Sequence, residues 1–159
     1  MPVEISIGPP LLTINHGSTF MVTDLNGEIA ADSEQGVFAR DTRFVSYYAI
    51  FANGMIWTRL TSSTVTYDGR EFYLTNKAFS TLDGDVPVGT LALVITRSVS
   101  EGIHEDFHLS NHGLTPGRLN LEVVLPSDFA DLFEVKSHRF MRRGRIETEW
   151  DAKHELRTH

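Results

Sequence analysis

The stretch TLALVITRSVSEGIHEDFHLS, from Thr90 to Ser110, decides the fold class. Glu101-Gly102 divides it into two runs. The first run is rich in β-branched residues, which favour strands. From Ile103 onward, apolar and polar residues alternate, which is typical of a strand with one packed face and one wetter face. The stretch therefore predicts an antiparallel hairpin.

Three further hairpins are predicted from dipeptides in which both residues tolerate a positive φ. The predicted strand–turn–strand units are 20–25 with Asn26-Gly27 and 28–30, 44–52 with Asn53-Gly54 and 55–60, and 64–67 with Asp68-Gly69 and 71–75. Residues 119–125 also alternate as a strand would, and residues 76–89 are interpreted as a loop.

Only one segment has helical spacing. Ser127 or Asp128 is a candidate cap, and Phe129, Leu132 and Phe133 then fall on one side of a helix of at most two turns. With hairpins elsewhere, the sequence predicts an all-β fold: an antiparallel, supersandwich-like β-sandwich with one short helix. At 159 residues, we expect a single domain, 1–159.

Composition excludes several classes of function. The net charge of −7 disfavours nucleic acid and anionic membranes as partners, and the absence of cysteine excludes thiolate chemistry and Cys-ligated zinc. No signal-peptide pattern or membrane span is visible, so we expect a cytoplasmic protein. The basic cluster could bind phosphate or nucleic acid, or pair with a neighbouring domain or with the acidic segment just before it; we expect the last. Its members are Lys136, Arg139, Arg142, Arg143 and Arg145.

A candidate metal site is His104-x-Asp106-x-His108, because side chains two apart on a strand point to one face. The alternative interpretation is a polar solvent face, which we favour. No cofactor is therefore expected.

Two charged segments are further candidates. Arg40-Asp41-Thr42-Arg43 offers guanidinium donors for a carboxylate, phosphate or sugar, or forms a salt-bridge cluster that locks the start of a strand; we favour the second. Asp128, Asp131 and Glu134 supply the carboxylates that glycoside hydrolysis needs; alternatively, Asp128 and Asp131 cap the start of the short helix, and again we favour the second.

Aromatic residues in the predicted hairpins have flat faces that stack on sugar rings. Trp57 is the leading candidate for such a glycan contact, with Trp150 next. The other candidates are Tyr47, Tyr48, Tyr67 and Tyr73.

Three segments together resemble the N-terminal domain of bacterial and archaeal-type glycogen debranching enzymes. They are GSTFMVTD (17–24), GVFARDTRFVS (36–46) and DFADLFEV (128–135), and Asn111 also fits the pattern. The resemblance extends from about His16 to Arg145. It implies a β-sandwich that precedes an (α/α)-barrel carrying the amylo-α-1,6-glucosidase chemistry.

The resemblance therefore implies a non-catalytic module of a glycoside hydrolase. One short helix cannot make a helical barrel, so the family's catalytic carboxylates have no matching positions here. The implied partners are the catalytic barrel, a second copy of the chain, or an α-glucan. The alternatives are a small metalloenzyme using His104, Asp106 and His108, and a stand-alone carbohydrate-binding module.

Overall fold

The protein is described by a computed structural model that covers residues 8–64, 66–141, 144–151, 153 and 155–159. It confirms the predicted all-β fold with several antiparallel sheets and one short helix. The elements are β1 (Leu12–His16), β2 (Thr19–Thr23), β3 (Gly36–Ala39), β4 (Thr42–Val45), β5 (Ala49–Ala52), β6 (Met55–Ile56), β7 (Thr58–Thr64), β8 (Gly69–Thr75), β9 (Phe79–Thr81), β10 (Gly84–Val86), β11 (Leu91–Val99), β12 (Ile103–Asn111), β13 (Leu121–Val124), α1 (Leu132–Ser137), β14 (Thr148–Trp150) and β15 (Leu156–Thr158).

Three sheets enclose the main core. Sheet I has the order β1-β2-β3-β4, sheet II the order β12-β11-β8-β7, and sheet III the order β13-β5-β6. Sheet II supplies Phe72, Leu93 and Ile95, which pack with Met21 of sheet I and Ile50 of sheet III. Each of these side chains is almost completely buried, so the hydrophobic effect holds the layers together. Pairs β9–β10 and β14–β15 are separate two-stranded ribbons.

The hairpin predicted for residues 90–110 is confirmed. β11 and β12 pair in register from Leu91↔Asn111 to Val99↔Ile103. The Asn53-Gly54 hairpin also forms, and both residues have positive φ (48° and 75°), as the turn requires.

The predicted hairpin at Asn26-Gly27 is wrong. β2 pairs with β1 and β3, and of the predicted return strand only Ile29 makes a bridge, to Tyr48. The Asp24 carboxylate explains the difference: its Oδ1 accepts from the backbone N–H groups of Asn26 (2.8 Å) and Glu28 (2.9 Å). These bonds close a local loop instead of a ladder.

Two predicted long strands are each divided between sheets. Residues 44–52 form the end of β4 in sheet I and β5 in sheet III, while 55–60 divide at Trp57 into β6 of sheet III and the start of β7 in sheet II. Sandwiches require strands that pass from one layer to the other, and alternation alone does not mark those points.

Two neighbouring predictions also need correction. The strand before Asp68-Gly69 is β7, which ends at Thr64, earlier than predicted, and Val65 lies outside the described residues. The predicted loop 76–89 contains the β9–β10 hairpin. Buried Asn76 holds the two ends of this segment together, because its side chain donates to the carbonyl oxygen of Pro87 and accepts from the N–H of Leu91, both at 2.8 Å.

The helix starts later than predicted. Asp131, not Ser127 or Asp128, is its N-cap, and Phe129 has a left-handed φ of 50° that places it outside the helix. α1 covers the outer face of sheet I, where Val135 packs in a small second core with Phe38. Within the described residues, no helix is long and apolar enough to cross a membrane.

Truncation of the main core is expected to destabilise the protein strongly. Leu93 is fully buried between the layers, so Leu93→Ala should lower the free energy of unfolding by about 2–5 kcal/mol in urea titrations. The matched control is Leu82→Ala, since Leu82 is fully exposed on the β9–β10 hairpin, and its effect should stay within about 0.5 kcal/mol. Equal effects would contradict the assignment of the core.

Candidate functional site

Arg40 and Asp41 form the two-residue turn between β3 and β4. Both have positive φ (49° and 66°), and Ala39 pairs with Thr42 across the turn. Sequence analysis missed this turn because it has neither glycine nor asparagine. The carbonyl oxygen of Asp41 accepts from the N–H of Leu132 at 2.8 Å. The turn therefore holds the start of α1 rather than presenting two free charges.

Arg43 is the centre of the candidate site and is 3% exposed. Its Nε donates to Oδ1 and Oδ2 of Asp128 (3.1 and 3.2 Å), and its Nη2 also donates to Oδ2. Its Nη1 donates to the carbonyl oxygens of Ser33 (2.8 Å) and Gln35 (3.2 Å). This Arg43–Asp128 clamp joins β4, the loop before β3 and the segment before α1. A salt bridge at the start of this strand was favoured from the sequence, but its partner, Asp128, lies outside the segment 40–43 and was not predicted.

The backbone reinforces the clamp. The N–H of Arg43 donates to the carbonyl oxygen of Ala130 (2.8 Å), and the N–H of Ser46 donates to that of Pro126 (3.0 Å). Gly36 is needed for close approach, because a Cβ there would lie 2.6 Å from Cδ of Arg43. Gly36, Arg43 and Asp128 all belong to the segments that carry the family resemblance.

The other two candidate carboxylates hold the helix. Asp131 Oδ1 accepts from the N–H of Phe133 (2.8 Å), and Glu134 Oε2 accepts from the N–H of Asp131 (2.9 Å), which together form a capping box. The predicted capping role is thus confirmed for Asp131, whereas the role of Glu134 in the cap was not predicted. Asp128 serves the clamp and also accepts from the N–H of Ala130 (3.2 Å).

The expected pairing of this acidic segment with the basic cluster is wrong for Asp128, which pairs with Arg43. Within the described cluster, Arg145 Nε lies 3.2 Å from Oε1 of Glu147, downstream rather than upstream. Arg142 and Arg143 lie outside the described residues.

A groove of about 1010 Å³ lies over the clamp. Arg43 and Asp128 belong to its lining, together with the aromatic side chains of Tyr47, Phe129 and Phe140. Aromatic faces beside hydrogen-bonding groups are features of sites that bind sugars. The groove is therefore the best candidate for a ligand or interface in the described part of the chain.

Trp57, the leading glycan-contact candidate, is buried. It is 8% exposed in the main core, where its ring is not available to a sugar, so this prediction is wrong. Trp150 is exposed on β14, and Tyr47 lines the groove. Burial of Trp57 follows from its place between β6 and β7, where the chain passes between sheets.

The His104, Asp106 and His108 side chains lie on the outer face of β12. His104 Nε2 is 3.4 Å from Oδ1 of Asp106, and both side chains are largely exposed. Among the described residues, no three His, Asp or Glu side chains are grouped as a metal site requires. The arrangement is that of a polar solvent face.

A second buried arginine was missed by the sequence analysis. Arg97 is 1% exposed, and its Nε donates to Oε1 of Glu105, while its guanidinium lies 5.1 Å from the Tyr48 ring centroid and 4.9 Å from that of Phe72. The signal was present: Arg97 lies on the apolar face of β11, and the hairpin register sets it opposite Glu105.

Tyr48 completes this buried cluster. Its O–H donates to Oε2 of Glu105. Burial, together with the Glu105 charge, raises the pKa of Tyr48 well above its usual range, because both oppose the tyrosinate.

Removal of the Asp128 carboxylate should leave Arg43 buried without charge compensation. Asp128→Ala is expected to lower the free energy of unfolding by about 3 kcal/mol, at the low end for such pairs because the Asp128 side chain is 30% exposed. The matched control is Asp83→Ala, which removes an exposed ion pair to Arg118 and should change that free energy by about 0.5 kcal/mol or less. Chemical denaturation measures both; an Asp128→Ala effect as small as the control would mean that the clamp does not stabilise the fold.

Tyr48 should make the protein sensitive to alkaline pH. The native state keeps this proton above pH 10, where the unfolded chain loses it, so stability is complete below about pH 10 and falls as pH rises further. Urea unfolding at pH 8 and above pH 10 should show a steeper loss for the wild type than for Tyr48→Phe. Parallel losses would contradict the raised pKa.

Comparison with known proteins is consistent with this architecture. No curated protein matches the chain. Residues 14–159 match the family described as the N-terminal domain of (some) glycogen debranching enzymes. That range includes the β3–β4 turn, the Arg43–Asp128 clamp, the capping box and the groove. The chain therefore belongs to the family of N-terminal domains of glycogen debranching enzymes.

Proposed function

We propose that this chain is a non-catalytic β-sandwich module of a glycogen-debranching-type glycoside hydrolase, which packs on a catalytic helical barrel and contacts α-glucan. The observation that carries the proposal is that all three carboxylates of the segment 128–135 form hydrogen bonds within the protein. Asp128 compensates Arg43, while Asp131 and Glu134 cap α1.

These bonds disfavour a hydrolytic role for the three carboxylates. A glycosidase needs one carboxyl group that gives up a proton and a second that attacks or activates water, both facing the substrate. Both carboxylate oxygens of Asp128 accept hydrogen bonds from the buried Arg43 guanidinium, so they are already engaged within the protein. Asp131 and Glu134 are engaged with backbone N–H groups at the helix start.

Docking on another domain is supported by the exposed apolar side chains near the groove. Phe140, Met141 and Ile146 line it and are exposed, and Trp150 is exposed on β14 close by in the sequence. Exposed apolar residues that cluster in this way mark interaction surfaces.

Glucan contact is supported by the composition of the same groove. Tyr47 offers a ring face and a hydroxyl, and Asp32 and Ser46 offer hydrogen-bonding groups beside it. The volume lies at the upper end of the usual range for ligand sites, about 300–1,000 Å³, which is enough for several sugar units.

Titration with maltooligosaccharides in a calorimeter tests this function. We expect binding by the wild type that is weakened about tenfold or more by Tyr47→Ala, because a stacking face is lost. Tyr67→Ala is the matched control, since Tyr67 is exposed but outside the groove, and it should bind as the wild type does.

Two results would contradict the proposal. The absence of heat with any α-glucan would remove the glucan contact. Release of glucose from a branched limit dextrin by the wild-type chain would remove the non-catalytic role, provided that Asp128→Asn or Glu134→Gln abolished the release.

A further inference from the structure

β12 is an unprotected edge strand. It lies at one edge of sheet II and pairs with β11 without irregularity over its whole length, Ile103–Asn111. β7, at the other edge, has a register shift between Arg59 and Thr61. Bulges, lysines and prolines often protect sheet edges, and β12 has none of them. Of its two carboxylates, Glu105 faces inward and is compensated by Arg97, which leaves Asp106 as the exposed charge.

The ladder shows which backbone groups of β12 face outward. At its two ends, the N–H of Ser100 donates to the carbonyl oxygen of Gly102, and the N–H of His112 donates to that of Thr90, both at 2.9 Å. In an antiparallel ladder, hydrogen-bonded and non-hydrogen-bonded pairs alternate. Even-numbered residues of β12 therefore bond to β11, and odd-numbered ones direct their N–H and C=O groups to the open edge. No backbone bond from that edge to another segment is found among the described residues.

The side chains of β12 are arranged symmetrically about Phe107. Asp106 and His108 flank it on the outer face. On the opposite face, Phe107 is 38% exposed, although its register partner Ile95 is buried in the core. An apolar side chain at the middle of the strand is thus left partly uncovered at the open edge.

We infer that β12 pairs antiparallel with β12 of a second copy of this chain, about a two-fold axis at Phe107. In this register, odd-numbered residues face each other in hydrogen-bonded pairs, which uses the outward backbone groups. Asp106 then lies opposite His108 of the second copy, twice per dimer, at the non-hydrogen-bonded positions where side chains come closest. Each imidazole N–H donates to a carboxylate, and Phe107 packs against its own counterpart.

Charge and length together select this axis over its neighbours. An axis at Asp106 sets two aspartates opposite each other, which is destabilising. An axis at Glu105 sets His104 opposite Asp106 of the second copy, but it pairs only residues 103–107 of each strand, whereas the Phe107 axis pairs the whole of Ile103–Asn111. The inference is independent of the proposed function, because β12 contributes no residue to the groove.

Sedimentation velocity over a wide range of protein concentration tests the inference. We expect a wild-type dimer. The substitution His108→Asp sets a second carboxylate opposite Asp106 at both cross-strand positions and should raise the dimer dissociation constant about tenfold or more. The exchange Asp106→His with His108→Asp restores opposite partners and should restore the dimer. Thr61→Asp, on the exposed β7 edge, is the matched control and should leave the dimer unchanged.

A second variant tests the backbone pairing. Phe107→Pro removes an outward N–H, a change that edge strands tolerate in the monomer, and should also abolish the dimer. Circular dichroism checks that each variant is folded; if Phe107→Pro is not, the charge exchange alone decides. A wild type that is monomeric at all concentrations would overturn the inference. So would a dimer that neither His108→Asp nor a folded Phe107→Pro weakens.

Discussion

The ion pair between Arg43 and Asp128 is the contact on which the outer side of sheet I depends. The guanidinium is almost completely buried, and a buried charge is tolerated only when it is paired and hydrogen-bonded. Asp128 supplies the opposite charge, and the carbonyl oxygens of Ser33 and Gln35 accept from the remaining nitrogen. Because these partners come from separate parts of the chain, the arginine fixes the loop before β3 and the segment before α1 against the same strand.

A second buried arginine uses the same principle in the main core. Arg97 pairs with Glu105 across the β11–β12 hairpin and lies against the rings of Tyr48 and Phe72. It links sheet II to the start of sheet III, because Tyr48 directly precedes β5. Sheets II and III are thus joined through a charged group as well as through apolar packing, while the Arg43–Asp128 pair joins sheet I to the segment before α1. Buried pairs of this kind often contribute more to a unique arrangement than to net stability.

The local parts of this structure could be predicted from the sequence, and the non-local parts could not. Alternation and a Gly-containing turn were enough for the β11–β12 hairpin, since its contacts are between neighbours in the chain. The passage from β4 to β5 depends on which layer each half packs against, which no local pattern records. The partner of Arg43 is distant in the sequence, so no local pattern indicates it. Burial of Trp57 depends on how all three sheets pack, which is why the sequence did not reveal it and Trp57 was assigned to a glycan contact. The sequence indicated that Asp131 helps to cap the helix, but it set the helix start at Ser127 or Asp128 and did not include Glu134.

Amide hydrogen exchange at the N–H groups of Arg43 and Leu132 tests the central claim most directly, namely that the carboxylate segment is a structural part of sheet I. Both groups donate to backbone carbonyls across the junction, to Ala130 and Asp41 respectively. The account predicts slow exchange in the wild type and much faster exchange in Asp128→Ala, with unchanged protection at Ile95 in β11. Fast exchange at Arg43 and Leu132 in the wild type would show that the segment is not held to the sheet and would contradict the account.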